Sequence, residues 1–291
     1  MYNYKTKNLP KNSLEMLVTI PLLDIKAEYE LAFDRLQKEL TVEGFRKGKV
    51  PKDIAKKHLK DDAIYENLIR SLLPKIYDEI VKKEGIKPIV SPKIELVKAT
   101  PNEDWQIKIV VALKPIVDLN NFKDIIKKAK EQHKKVDIWV PGKSEKQEDK
   151  AKQEAESQQK LLNEILEALL KGVKVEVSDL ILEEEVNRRL SQLVDDIRKI
   201  GLTTDAYLKS KNLTMDEVKK RYAQEIEDTY RVEFLLNEIA DHEGIKVEKE
   251  DLDKLFGAIT DEKEKKMAHE NAYFYASILR KQKTLDYLMS L

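Results

Sequence analysis

The sequence predicts a small α+β domain with the element order βαααββ, followed by an elongated all-α body. Three observations carry this. All nine prolines lie at or before Pro141. Proline costs a helix interior about 3 kcal/mol, so long uninterrupted helices are expected mainly beyond that point. Apolar residues alternate with polar ones around 14–20 and 105–113, the period of a half-buried strand. From Leu161 onward they recur every three or four residues, the period of a helix with one buried face.

In chain order, Leu14, Met16, Val18 and Ile20 read as the first strand. Asp24 is expected to cap a helix that presents Tyr29, Phe33, Leu36 and Leu40 on one face. Lys52 to Leu59 reads as a short basic helix. Asp61 or Asp62 is expected to cap a longer one, which contains Pro74 and ends at Gly85. Two strands follow, the second of them at Trp105, Ile107, Ile109, Val111 and Leu113. This domain is expected to span 1–118. The stretch 119–160 is expected to be a linker: helical over 121–135, a short strand over 136–140, a break at Pro141-Gly142, then a run of good helix formers. The all-α domain is expected over 161–291. Its helices end at Gly172, Gly201 and Gly244, a capping box Thr214-x-x-Glu217 opens one of them, and the last runs from Asp261 to Met289.

Composition narrows the function. Charged residues are 37% of the 291 and aromatics 7%, a balance suited to exposed amphipathic helices more than to a compact enzyme. Net charge is zero, yet residues 1–118 carry 22 Lys/Arg against 18 Asp/Glu, and 119–291 carry 32 against 36. Without cysteine there is no disulfide, thiol nucleophile or Cys-ligated metal. His58, His133, His242 and His269 lack metal-ligand spacing, and no P-loop, G-x-G-x-x-G or G-x-S-x-G occurs. Neither a cofactor nor a catalytic site is expected. No run approaches the roughly 18 apolar residues of a membrane span, and residues 1–10 lack the apolar core of a signal peptide. The expectation is a cytoplasmic protein.

The most informative segment is Gly44-Phe45-Arg46-Lys47-Gly48-Lys49-Val50-Pro51. Positions 46–60 hold seven Lys/Arg and a single acid, Asp53. Two readings stand. The glycines permit a tight turn that tucks Phe45 into the core, or they shape an exposed tip. Burying Phe45 would drag Arg46 and Lys47 toward apolar surroundings. Exposed, the ring and cations suit a surface made of phosphates and acidic protein. Near the C-terminus, Tyr273, Phe274 and Tyr275 point about 100° apart around a helix, so at least one faces outward. Core packing is expected for two of them. Tyr273 and Phe274 are the candidates, with Met267 and Met289, to line an apolar surface that accepts varied partners.

The 44–51 segment resembles the ribosome-binding signature of bacterial trigger factor, a chaperone that meets nascent chains at the tunnel exit. Val232 to Ala240 with Glu243 to Val247 is similar to that family's C-terminal arm, and Ile278 to Leu288 more distantly so. The resemblance covers 1–135 and 160–291. It implies an ATP-independent chaperone whose Phe45, Arg46 and Lys47 meet exit-tunnel protein and ribosomal RNA, with Gly44 and Gly48 shaping the loop and Lys49 and Pro51 completing it. A helical cradle would hold unfolded or nascent polypeptides. No membrane partner is implied, and a weak homodimer is compatible with the reading. Members of the family usually carry an FKBP-type prolyl isomerase domain of about 85 residues or more. The stretch 143–160 is too short for one and has no aromatic residue, so isomerase activity is not expected. The alternative is a ribosome-independent holdase or assembly factor whose basic loop binds another acidic partner.

Overall fold

The computed structural model describes residues 2–100, 102–119, 121–136, 147–257, 259 and 261–291. The chain divides into two units, residues 1–114 with 178–181, and residues 115–177 with 182–291.

Unit 1 is built on a four-stranded antiparallel sheet in the order β1-β2-β4-β3. Its strands are β1 (Asn3–Leu9), β2 (Ser13–Ile20), β3 (Lys93–Lys98) and β4 (Trp105–Ala112). Three of them were expected; β1 was not, so the order is ββαααββ. Alternation sends Met16, Val18 and Ile20 of β2 and Ile107, Ile109 and Val111 of β4 to one face, where all are buried. Helices α1 (Leu22–Glu39) and α3 (Asp61–Glu84) cover that face with Ala32, Phe33, Ile64, Leu68, Ile76 and Ile80. Between them lies α2 (Lys52–His58). Pro74 sits within α3, and Gly85 closes it in the left-handed conformation at φ 64°.

The caps differ from expectation. Helix α1 starts at Leu22, behind Pro21, and Asp24 lies in its first turn. The Leu22 amide donates instead to Asp104 Oδ1 at 2.9 Å, a carboxylate 82 residues away. Asp61 and Asp62 also fall in a first turn, behind Lys60. Asp61 is engaged by the Tyr29 hydroxyl, which donates to it at 2.6 Å; burial and this bond push the Tyr29 pKa up.

Unit 2 is helical. Its elements are α4 (Phe122–Val136), α5 (Gln147–Gly172), α6 (Asp179–Lys199), α7 (Thr204–Ser210), α8 (Met215–His242), α9 (Lys249–Gly257), α10 (Glu262–Glu270) and α11 (Ala272–Ser290). The strand expected over 136–140 loses Val136 to α4, and 137–140 lie outside the described residues, as does the Pro141-Gly142 break. The capping box forms as expected, with the Glu217 amide donating to Thr214 Oγ1 and the Thr214 amide to Glu217 Oε2. The last helix is two helices, parted at Asn271, whose side chain donates to the Met267 carbonyl at 2.8 Å.

The second core joins Leu119, Phe122, Ile126 and Ala129 to Ile165 and Leu169 of α5, Leu235, Leu236 and Ile239 of α8, and Leu288 of α11. Part of the stretch 119–160 thus supplies core side chains. Gly172 lets α4 and α5 approach closely, since a Cβ there would lie 2.5 Å from Ile125 Cδ1.

Glu243 ties three helices together. It accepts from Tyr287 Oη of α11 at 2.5 Å and from Lys123 Nζ of α4 at 2.9 Å, and it pairs with His242 Nδ1 at 2.9 Å. These donors, the Tyr287 hydroxyl foremost, hold its pKa down at about 2 against an ordinary 4.5. A folded-state pKa below the unfolded one stabilises fully above the unfolded value, and the gain is lost as pH falls toward the folded value. Glu243→Gln is therefore expected to cost about 1–3 kcal/mol at pH 7, with the deficit shrinking between pH 4.5 and 2. Urea melts followed by circular dichroism at pH 7 and pH 3 check this. A deficit equal at both pH values would mean that the carboxylate's charge is not the cause.

Candidate functional site

The segment 44–51 bridges α1 and α2 through two successive turns. The Phe45 amide donates to the Val42 carbonyl at 3.0 Å, and the Lys49 amide donates to the Arg46 carbonyl at 2.9 Å. Each turn has glycine at its third position with positive φ, 85° at Gly44 and 78° at Gly48, the conformation a type II turn requires there. The four-residue glycine spacing is thus the spacing of two turns in series. A side chain at Gly48 would also press on the Lys38 carbonyl oxygen at 3.2 Å.

The loop is anchored at its far end. Val50 is buried in the first core, and Gln37 Nε2 of α1 donates to its carbonyl at 2.6 Å. Lys52 pairs with Asp34 of α1 at 2.9 Å, and that bond raises the Lys52 pKa. Between the anchors Gly44, Phe45, Arg46, Lys47, Gly48 and Lys49 are exposed, and so is Pro51. Phe45 keeps 38% of its surface open, so the ring is not tucked into the core. Arg46, Lys47 and Lys49 have no ion-pair partner among the described residues. Three uncompensated cations and an aromatic ring on a fixed double turn can meet phosphate oxygens and carboxylates while seating the ring in an apolar hollow. Val50 and Gln37 were not singled out from sequence. Val50 alone gave a signal there, as an apolar residue between Lys49 and Pro51.

Gly48→Ala is expected to destabilise the loop by about 1–2 kcal/mol, because a Cβ is disfavoured at this φ and meets a backbone oxygen. Faster amide exchange over 42–50, with the β2 and β4 amides unchanged, would report it; unchanged exchange at 42–50 would show that the turn does not depend on glycine.

The C-terminal candidates separate. Tyr273 is 91% exposed, Met267 61% and Phe274 60%. Of the three consecutive aromatics only Tyr275 packs inward, edge-on to the buried Phe256 at 5.5 Å between centroids, so one ring and not two serves the core. Met289 is half-buried against the second core, and its carbonyl accepts from Lys130 Nζ at 2.6 Å. It lies roughly 22 Å along α11 from Phe274 at 1.5 Å per residue, at the opposite end of that helix from Tyr273 and Phe274. Among the described residues no three His, Asp or Glu side chains are placed to hold a metal ion, and no helix is long and apolar enough to cross a membrane.

Comparison with known proteins fits this arrangement. The family model described as bacterial trigger factor protein matches residues 2–140, and the one described as bacterial trigger factor protein C-terminus matches residues 143–289. The trigger factor of Lactococcus lactis subsp. lactis (strain IL1403) is 36% identical over 101 residues, which are 35% of this chain and 24% of that protein. The trigger factor of Lacticaseibacillus casei (strain BL23) is 39% identical over 114 residues, 39% of this chain and 26% of that protein. The matched stretch spans about a quarter of the length of these relatives. A solved chain described under "Promiscuous Substrate Recognition in Folding and Assembly Activities of the Trigger Factor Chaperone" shares the fold, with a TM-score of 0.67 over 99% of both chains at 15% identity. The two family models together cover the chain except for its extreme ends and residues 141–142, and on that match the chain belongs to the bacterial trigger factor family.

Proposed function

We propose that this chain is an ATP-independent, ribosome-associated chaperone. Unit 1 docks at the nascent-chain exit through residues 44–51, and unit 2 holds unfolded polypeptides. The observation that carries the reading is the double turn, which displays Phe45, Arg46 and Lys47 without internal ion partners on a loop anchored by Val50. Arg46 and Lys47 contact ribosomal RNA and acidic protein, and Phe45 seats in an apolar hollow between them. Gly44, Gly48, Lys49 and Pro51 set the path of the loop.

Unit 2 supports holding by leaving large apolar side chains in solvent, among them Ile200, Leu202, Met267, Tyr273 and Phe274. Such surface is a mark of interaction sites. Met267, Tyr273 and Phe274 offer themselves to clients directly; Met289 presents only the edge of a half-buried side chain. Anchoring at the exit raises the effective concentration of the client, so each contact works while weak, and release needs no nucleotide.

The same proposal makes residues 1–118 the docking domain, 161–291 the holding domain and 119–160 the connection that stands where the family resemblance implies an isomerase domain. The protein is cytoplasmic, acts without prolyl isomerisation and associates with itself weakly at most. Co-sedimentation of the full chain with ribosomes through a sucrose cushion tests docking. Pelleting that weakens as salt rises is expected, because phosphate contacts release counterions. A chain that suppresses aggregation but never pellets with ribosomes is a free holdase, and the docking claim then fails. Catalysis of a proline-limited refolding reaction would overturn the reading of 119–160.

A further inference from the structure

The unit 1 sheet has a free edge that borders a groove with no part in loop docking. β1 is an outer strand of the sheet, so one row of its backbone N–H and C=O groups points away from β2. A cavity of about 700 Å³ runs along this strand, lined by Tyr2 and Tyr4 on one side and by Glu79, Lys83 and Glu84 of α3 on the other. A second cavity, of about 220 Å³, shares Tyr2 and Glu79 with the first and adds Asp24 and Glu28 of α1 and a single cation, Lys75 of α3, so that across both cavities four carboxylates face two lysines.

The chemistry of the walls is specific. The Tyr2 hydroxyl donates to Glu79 at 2.7 Å and the Tyr4 hydroxyl to Glu84 at 2.6 Å, which fixes one oxygen of each carboxylate. Glu28 Oε2 is buried and has no hydrogen-bond partner among the described residues, a state that a donated N–H relieves. The Tyr2 and Tyr4 rings lie 6.4 Å apart between centroids. Lys83 Nζ sits 5.1 Å from the Tyr4 centroid, so the chain's own cation already uses that ring. Tyr4 and Thr6 register with the buried Val18 and Met16. Lys5 and Lys7 therefore project from the opposite face of the sheet and do not line the groove.

Carboxylates beside aromatic faces recognise ammonium and guanidinium groups, and a free strand edge recognises extended backbone. We propose that this groove docks an extended segment of another polypeptide that carries Lys or Arg. The segment adds alongside β1 through main-chain hydrogen bonds and places its cations among Glu28, Glu79 and Glu84. The site is independent of the 44–51 loop, and its test uses no ribosomes.

The probe is a ten-residue peptide alternating Lys and Val, with a Glu–Val peptide as control, added to the full chain and followed by hydrogen–deuterium exchange. The Lys–Val peptide is expected to slow exchange over Asn3–Leu9, and the Glu–Val peptide is not. The triple variant Glu28→Gln, Glu79→Gln, Glu84→Gln keeps the acceptors of both tyrosine bonds, so its fold is expected to persist. It should weaken the protection by roughly tenfold or more in peptide concentration. Absence of protection over Asn3–Leu9, equal protection by the acidic peptide, or equal protection in the variant would each overturn the proposal. Protection that rises with protein concentration and needs no peptide would assign the edge to a second copy of this chain and overturn it likewise.

Discussion

Replacing Phe45, Arg46 and Lys47 together by alanine is expected to weaken ribosome binding by at least about tenfold while leaving the melting profile unchanged. Interface anchors of this kind commonly carry 2 kcal/mol or more each, and about 1.4 kcal/mol is already tenfold. The separation of binding from folding follows from the geometry. All three side chains are exposed, and the path of the loop is held by its two turns, by Val50 and by the Gln37 bond. The single changes divide the interaction further. Removing Arg46 or Lys47 should flatten the salt dependence of pelleting by about one phosphate contact. Removing Phe45 should lower affinity at every salt concentration and leave the slope alone. A triple variant that pellets like the parent at moderate salt would end the docking proposal. Loss of binding together with a lowered melting temperature would instead mean that the loop is part of the fold.

Leu235→Ala is expected to cost about 2–5 kcal/mol of unit 2 stability, the usual range for emptying a fully buried leucine site. Leu235 is fully buried in the second core, which gathers residues of α4, α5, α8 and α11, so one cavity loosens several helix contacts together. Far-UV circular dichroism during urea unfolding measures the loss. Because the docking loop belongs to unit 1, the variant should still pellet with ribosomes while holding unfolded protein less well. Loss of pelleting in Leu235→Ala, with unit 1 amides still protected, would show that docking depends on unit 2 and that the division of labour proposed here is wrong.

Both predictions draw on parts of the molecule that differ in how far the sequence reveals them. The share of the second core beyond Leu161 was readable as helix stripes, because burial on one face of a helix imposes a period of 3.6 on the residues themselves, whereas the share from Leu119, Phe122, Ile126 and Ala129 fell in the stretch expected to be a linker. The same stripes did not separate Met289, which packs, from Met267, which does not. Packing depends on what the opposite helix supplies, and a stripe carries no record of its partner. The break at Asn271 was hidden for a related reason: the flanking residues are ordinary helix formers, and neither glycine nor proline marks the join. Strand β1 escaped notice because an edge strand needs only a partly covered inner face. Tyr4 packs against the core while Thr6 stays exposed, so the strand forms without an apolar run.

The docking loop shows the division most clearly. Local chemistry was written in the chain. Two glycines four apart specify two turns with positive φ, the cations cluster within 46–60, and the capping box of α8 closes among four neighbouring residues, since each of these depends on contacts between near neighbours. What the residues alone left open was whether Phe45 turned inward. That was decided by tertiary contacts: Val50 takes the buried place, Gln37 holds its carbonyl, and Phe45 is left outside. The cap of α1 was decided in the same way, by Asp104 from 82 residues away. The physical reason is common to both. A turn or a cap made by near neighbours is fixed by the backbone geometry of a few residues, whereas a side chain's burial, or a donor's distant acceptor, is settled only when separate elements compete for the same space.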